Sequence, residues 1–228
     1  QTADDFDRFV HLLSHDVRAS MRALITLPDW IEEDIQDAGL PPVPSLMENL
    51  TLMKTHANRV DQMLVDLLDH SRIGRLDLVS EVDVNACLNE VLKELDPDTI
   101  YEITTSIEVA RIVIRHRDLS LLLRALVSNA IKHNAATGAR VEVGIKDADG
   151  QHIITVTDDG PGIPEAFRQK VLEPFSTLKP RDTVEGSGMG LAIVTKVAAT
   201  YGGTLKWVAK PEQSAGFFAV HIPHPVIN

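Results

Sequence analysis

Residues 6–31 read FDRFVHLLSHDVRASMRALITLPDWI, and the spacing within them decides the fold of the first third of the chain. Phe6, Val10, Leu13, Val17, Ser20, Leu24, Leu27 and Ile31 recur at alternating intervals of four and three, a heptad seam with one polar member. Gly39, Pro41, Pro42 and Pro44 then break the helix, and Ser45 is a residue type that caps a new one. Beyond it Leu46, Leu50, Met53, Ala57, Val60, Leu64, Leu67 and Ser71 repeat the same spacing. Two such helices joined by a short turn form an antiparallel hairpin. A single hairpin leaves much of its apolar stripe wet, so pairing with a second copy into a four-helix bundle is the economical solution. A helical linker or plain coiled coil has the same periodicity.

Past Arg75 the period changes. Short β-rich runs appear at 100–106, 111–115, 140–146, 153–157, 204–208 and 217–222, and helical patterns lie at 84–95, 118–133 and 188–201. Asp147-Ala148-Asp149-Gly150 reads as a hairpin turn between two of the strands. Hairpins and helices mix without strict alternation, which predicts an α+β layer with helices on one sheet face. The expected chain is thus a helical domain over 1–74 and a mixed-sheet α/β sandwich over 75–228.

Composition narrows the partners. Acidic residues number 33 against 22 basic, a net charge of −11, which disfavours non-specific contact with nucleic acid or an anionic membrane. Aromatics are only 4% of residues, so the core must be aliphatic. The lone Cys87 has no partner for an internal disulfide and fits a reducing, cytoplasmic setting. No apolar run reaches the ~18 residues of a membrane span. The polar start without methionine reads as a fragment, with a sensory region expected upstream.

Four short stretches carry chemistry. His15 lies two residues from Leu13 and two from Val17, nearly opposite the seam at ~100° per residue. A neutral imidazole in solvent is a usable nucleophile, although a lone surface histidine among 9 is more often only solvated. Asp158-Asp159-Gly160-Pro161-Gly162-Ile163 follows a strand and puts a carboxylate beside glycines that admit close ligand approach; read alone, it is equally a tight turn. Gly186-Ser187-Gly188-Met189-Gly190-Leu191 opens an apolar helix and offers N–H donors to phosphate, or else a flexible hinge. Asn129, Lys132 and His133 share one helix face, a carboxamide oxygen for a metal beside two basic groups, or else a polar solvent face.

In their order these stretches resemble the catalytic core of sensor histidine kinases, a dimerisation and phosphoacceptor hairpin followed by an ATP-binding domain of the gyrase–Hsp90–kinase–MutL type. Leu13–Ala19 looks like the phosphoacceptor box, Asp66–Arg72 like the end of the second helix, and Leu126–His133 like the asparagine box. Asp158–Gly162, Glu173-Pro174-Phe175 and Gly186–Gly190 look like the first glycine box, the phenylalanine box and the second glycine box. The resemblance implies ATP-dependent phosphorylation of His15, with Asp16 as its acid/base, and transfer to an aspartate on a response-regulator receiver domain. It further implies that Asn129 holds Mg²⁺ and that Asp158 reads the adenine amine. Gly160, Gly162, Ile163, Gly186, Gly188, Met189, Gly190 and Leu191 would shape the pocket, while Lys132, His133 and Lys179 would face the phosphates. A homodimer is implied as well. An ATP-independent phosphotransferase and a conformational ATPase of the same nucleotide fold are the alternatives. Three positions depart from the family's habit. Ser20 stands where proline is common, Ala19 replaces a Thr or Asn that supports phosphatase activity, and Gly216-Phe217-Phe218 replaces a commonly hydroxylated site.

Overall fold

A computed structural model describes residues 2–95, 101–133, 140–178, 186–209 and 216–225, with side chains from residue 17 onward. The chain divides into two compact units, one of residues 1–71 with 185–187 and one of 72–184 with 188–228.

The first unit is a helical hairpin, α1 (Thr2–Asp37) and α2 (Pro44–Arg72). A Schellman turn ends α1: Gly39 takes φ +63°, its N–H donates to Gln36 O at 3.0 Å, and Leu40 N donates to Ile35 O at 3.1 Å. The second helix starts two residues earlier than a Ser45 cap implies. Pro44 occupies its first position, where the missing N–H costs nothing, so Ser45 lies inside the helix rather than capping it. Arg18 lies 3.5 Å from Asp61 and Lys54 2.7 Å from Asp29, which sets the two helices antiparallel.

The heptad seam splits within this hairpin. Leu50, Ala57 and Pro28 are buried, with Met21, Ile25, Ile35 and Leu64 half-buried. Leu24, Leu27 and Ile31 on α1, and Leu46, Met53 and Val60 on α2, all remain 37–41% exposed. The apolar stripe is therefore wider than one hairpin can cover.

The second unit holds a five-stranded mixed sheet in the order β2-β4-β5-β7-β6, where β2 (Glu102–Ile107) runs parallel to β4 (Arg140–Ala148) and the other pairs are antiparallel. The remaining strands are β5 (Gln151–Asp158), β6 (Thr204–Ala209) and β7 (Gly216–Pro223). Asp149 at φ 54° and Gly150 at φ 72° form the type I′ turn that closes the β4–β5 hairpin. A small antiparallel pair, β1 (Ser80–Asp83) with β3 (Arg111–Ile114), lies apart.

Three helices supply the second layer: α3 (Val84–Leu95), α4 (His116–His133) and α5 (Gly190–Thr200). Asp83 caps α3 by accepting from Ala86 N at 2.8 Å. Their apolar faces meet one side of the sheet in an almost wholly aliphatic core containing Leu88, Leu119, Leu122, Val127, Val143, Ile145, Ile154, Val194, Val197 and Val220. Cys87 is fully buried there, and burial, with Glu90 and Glu94 nearby, pushes its thiol up to about 12. It packs as a small hydrophobe.

Among the described residues, one carboxyl group is buried beside this core. Asp118, 1% exposed at the start of α4, accepts from the Tyr201 hydroxyl at 2.6 Å and from Gly74 N at 3.1 Å. The Tyr201 oxygen in turn accepts from Arg115 N at 3.1 Å. Burial first, and then the hydrogen bond to Asp118, push the Tyr201 phenol above its ordinary pKa. Replacing Asp118 with Ala leaves two half-buried donors without their acceptor, so Asp118→Ala should cost roughly 2–4 kcal/mol and Tyr201→Phe about 1 kcal/mol. Urea unfolding monitored at a probe in the second unit checks both, and the order of the two losses is the discriminating result.

Candidate functional site

The ends of three elements converge in the second unit. Asn129 sits in the last turn but one of α4, half-buried, and Gly190 opens α5. A Cβ on Gly190 would lie 3.3 Å from both Asn129 Nδ2 and Oδ1, so the bare backbone of the helix start leaves room for the carboxamide. Beside the C-terminal end of α4, β5 ends in Asp158. Its Oδ1 accepts from Gly160 N at 2.8 Å, which folds the chain back over the carboxylate in an Asx turn. A Cβ on Gly160 would meet Asp158 Oδ1 at 2.6 Å and the His133 carbonyl oxygen at 3.5 Å. The carboxylate of Asp159 accepts from Arg140 N at 3.0 Å and ties this loop to the start of β4.

The structure therefore brings Asn129, His133, Asp158, Gly160 and Gly190 to one end of the α/β layer. Lys132 and His133 are exposed at the C-terminal turn of α4. Gly162 has φ +69° and Ile163 is half-buried, both in the loop that follows β5. Met189 is buried at 1% exposure and occupies the N-cap of α5 without a side-chain hydrogen bond to the helix, and Leu191 follows half-buried. The N-cap residue thus supplies no side-chain cap to the first turn of α5, whose amide end is the feature that suits an anion. Gly188, at φ +76°, packs where a Cβ would come within 2.8 Å of the Phe175 carbonyl carbon and the Ser176 oxygen. Nothing in the spacing of these two boxes along the sequence announces their contact. Phe175 itself takes the left-handed conformation, at φ 62°.

Other expected residues stand apart. Gly186 and Ser187 group with the helical unit, where the Ser187 hydroxyl donates to Asp66. His15 and Asp16 lie on α1, with side chains outside the described residues, as Lys179 is altogether. Sequence reasoning missed Asp118 and Tyr201, whose partnership spans 83 positions and leaves no local pattern.

Residues 114–226 match the model of the histidine kinase-, DNA gyrase B- and HSP90-like ATPase family. Over 228 aligned residues the chain is 30% identical to the signal transduction histidine-protein kinase AfsQ2 of Streptomyces coelicolor, covering 92% of this chain and 40% of that protein. It is 29% identical to the sensor-like histidine kinase SenX3 of Mycobacterium tuberculosis, over 92% of this chain and 52% of that one. The chain thus spans about half or less of the length of these relatives. Among solved structures, full-length ShkA in complex with AMPPNP superposes with a TM-score of 0.68 at 21% identity, covering 95% of this chain and 45% of that one. The mycobacterial sensor histidine kinase MprB superposes at 0.56 with 28% identity, covering 65% of this chain and all of that one. No described helix is long and apolar enough to cross a membrane.

The glycines separate two physical costs. Gly202→Ala, at φ +69° with nothing within 4 Å, should lose only the left-handed backbone term of about 1–2 kcal/mol. Gly188→Ala should lose that and more, because its methyl meets backbone. Gly190→Ala need only shift the Asn129 carboxamide by a few tenths of an ångström and should cost least. Urea midpoints of the three variants, measured together, check the order.

Proposed function

The chain belongs to the histidine kinase-, DNA gyrase B- and HSP90-like ATPase family and has the catalytic core of a sensor histidine kinase, and we propose that it uses ATP to phosphorylate its own His15. The observation that carries this reading is the meeting of Asn129, Asp158 and the bare helix start at Gly190. It supplies, at one end of one layer, an acceptor for an amine, a hard oxygen donor and a cluster of backbone amides.

The roles follow from donor chemistry. Asp158 accepts from the exocyclic amine of adenine, and Gly160 and Gly162 let the ring approach backbone. The first turn of α5, the Lys132 cation and the His133 ring face the phosphates. Asn129 Oδ1 is the oxygen that would hold Mg²⁺, and the missing Cβ of Gly190 leaves room for that carboxamide beside the start of α5. When bound, the ion neutralises charge on the phosphate oxygens. A ring nitrogen of His15 attacks the γ-phosphorus, the bond to the bridging oxygen breaks, and ADP departs. The displaced ring proton passes to Asp16, which acts as the acid/base. The phosphoryl group is then donated to an aspartate of a response-regulator receiver domain. Ala19 offers a methyl where a polar side chain could hold a water for the reverse hydrolysis, so phosphatase activity is weak in this reading.

The working form is a homodimer. Leu24, Leu27, Ile31, Leu46, Met53 and Val60 are each about two-fifths exposed in the single hairpin, and a second copy is the partner whose stripe matches theirs in spacing. Val60→Asp puts a charge in that stripe. The variant should sediment as a monomer while the parent sediments as a dimer.

Radiolabelled ATP tests the chemistry. His15→Gln should abolish labelling with nucleotide affinity unchanged, and the label on the parent chain should survive base and be lost in acid, as a phosphoramidate is. Asn129→Ala should remove most activity. Asp158→Ala should weaken ATP binding by roughly 1.5–3 kcal/mol, the scale of a hydrogen bond to a charged group. Full labelling of His15→Gln would overturn the acceptor, and unchanged ATP affinity in Asp158→Ala would overturn the adenine contact.

A further inference from the structure

At the opposite end of the sheet from Asp158, three neighbouring strands finish their core-facing columns in the same way. On β4 the inward residues run Val141, Val143, Ile145 and then Asp147. On β5 they run Val156, Ile154 and then His152, and on β7 Val220 and Ile222 are followed by His224 just past the strand. The register makes them neighbours: Asp147 pairs with His152, and His152 pairs with Ile222. His224 is held in place by its own backbone, whose N–H donates to Gly150 O at 3.0 Å.

The three side chains converge on one point. His152 Nδ1 lies 2.5 Å from Asp147 Oδ1, and His224 Nε2 lies 3.2 Å from the same oxygen. The two rings stand with centroids 4.3 Å apart at 45°. One nitrogen from each ring and one carboxylate oxygen all fall within 4.8 Å of one another. His152 is buried at 7% exposure, while the side chains of Asp147 and His224 are 47% and 42% exposed, so the group opens to solvent on one side. Desolvation, the largest single influence on Asp147, pushes its pKa up, but hydrogen bonds from His224 and His152 and their charges outweigh it and hold the carboxyl below its ordinary value.

We propose that Asp147, His152 and His224 form a binding site for a divalent late-transition cation, zinc being the reference case, with one coordination position left to water. Two imidazoles and one carboxylate are borderline ligands that suit zinc and its neighbours rather than magnesium or calcium, which take oxygen. Tetrahedral zinc with bonds of about 2.0–2.1 Å holds its donors roughly 3.3 Å apart; the His224–Asp147 pair at 3.2 Å already stands near that separation, and the His152–Asp147 pair at 2.5 Å must open on binding. A polar cap on the core would need one histidine on the carboxylate. Here two rings aim a nitrogen at the same oxygen, an arrangement in which one cation replaces two shared protons. The site clamps β4, β5 and β7 at their solvent end. It lies six residues along β5 from Asp158, about 20 Å, and is separate from the nucleotide reading above.

The test uses the 228-residue chain free of any affinity tag, titrated with Zn²⁺ against a chromophoric chelator. One equivalent should bind saturably, and Co²⁺ in its place should give the visible absorption of a four- or five-coordinate ion. His224→Ala and Asp147→Asn, both at half-exposed side chains, should each weaken binding at least about tenfold. His116→Ala, which removes a surface histidine paired with Glu90 at 3.1 Å, should leave it unchanged. Thermal melts without metal should place the His224 and Asp147 variants near the parent, so that lost binding is not lost folding. One-to-one uptake that is absent in the parent, or that survives at full strength in both variants, would overturn the site.

Discussion

A buried carboxylate holds the second unit in register. Taking Asp118 out of water costs several kcal/mol unless its oxygens are hydrogen-bonded, and the two donors that compensate come from distant parts of the chain, Tyr201 and Gly74. Tyr201 lies just past the end of α5 and Asp118 in the first turn of α4, so this contact runs the two helices antiparallel with these ends together. The other ends must then meet as well. From Asp118 to Asn129 and from Tyr201 back to Gly190 is the same number of residues, about 16 Å of helix in each case. The approach of Gly190 to Asn129 is therefore the far end of a pairing whose near end is the Asp118 cluster.

That geometry explains which parts of the molecule can be read from a linear sequence. The paired heptads of α1 and α2 are local and periodic, and both helices form over the expected stretches. The six β-rich runs and three helical patterns beyond residue 75 likewise become strands and helices, with the mixed sheet and one-sided helices expected from their order. Strand β1 was not legible. Of Ser80, Glu81, Val82 and Asp83 only Val82 is apolar and buried, and the segment is extended because β3 lies beside it. The position of Pro44 shows the same limit at a boundary: a serine and a proline both mark a helix start, and the missing N–H of proline takes the first position.

The site was legible to a different degree. Each glycine box announces a loop that admits close approach, but the boxes by themselves do not say what approaches. Gly190 faces a carboxamide 61 positions earlier, Gly160 faces its own Asp158 and the His133 carbonyl, and Gly188 faces the backbone of Phe175 and Ser176. These partners are set by tertiary packing, and only the resemblance of the ordered boxes to a kinase core connects them in advance. Asp118 and Tyr201 belong to no box and surface only when the fold places them together.

The seam on α1 and α2 carries the last step. A strict heptad row in one hairpin would be buried by that hairpin alone if its partner row lay directly opposite. Here Arg18 pairs with Asp61 and Lys54 with Asp29 inside the hairpin, and the buried line runs through Leu50, Ala57 and Pro28. The row of Leu24, Leu27 and Ile31 is displaced one position around the helix from that line, about 100°, and so remains partly wet. A stripe two rows wide stabilises the hairpin with one row and leaves the other partly wet, the row that the proposed homodimer would cover. Ion pairs along the first row fix the register of the hairpin, because Arg18 and Lys54 each reach a single carboxylate, while the second row is uniformly apolar and its spacing alone sets its register. A self-complementary contact of this kind needs no sequence beyond the one that folds the hairpin.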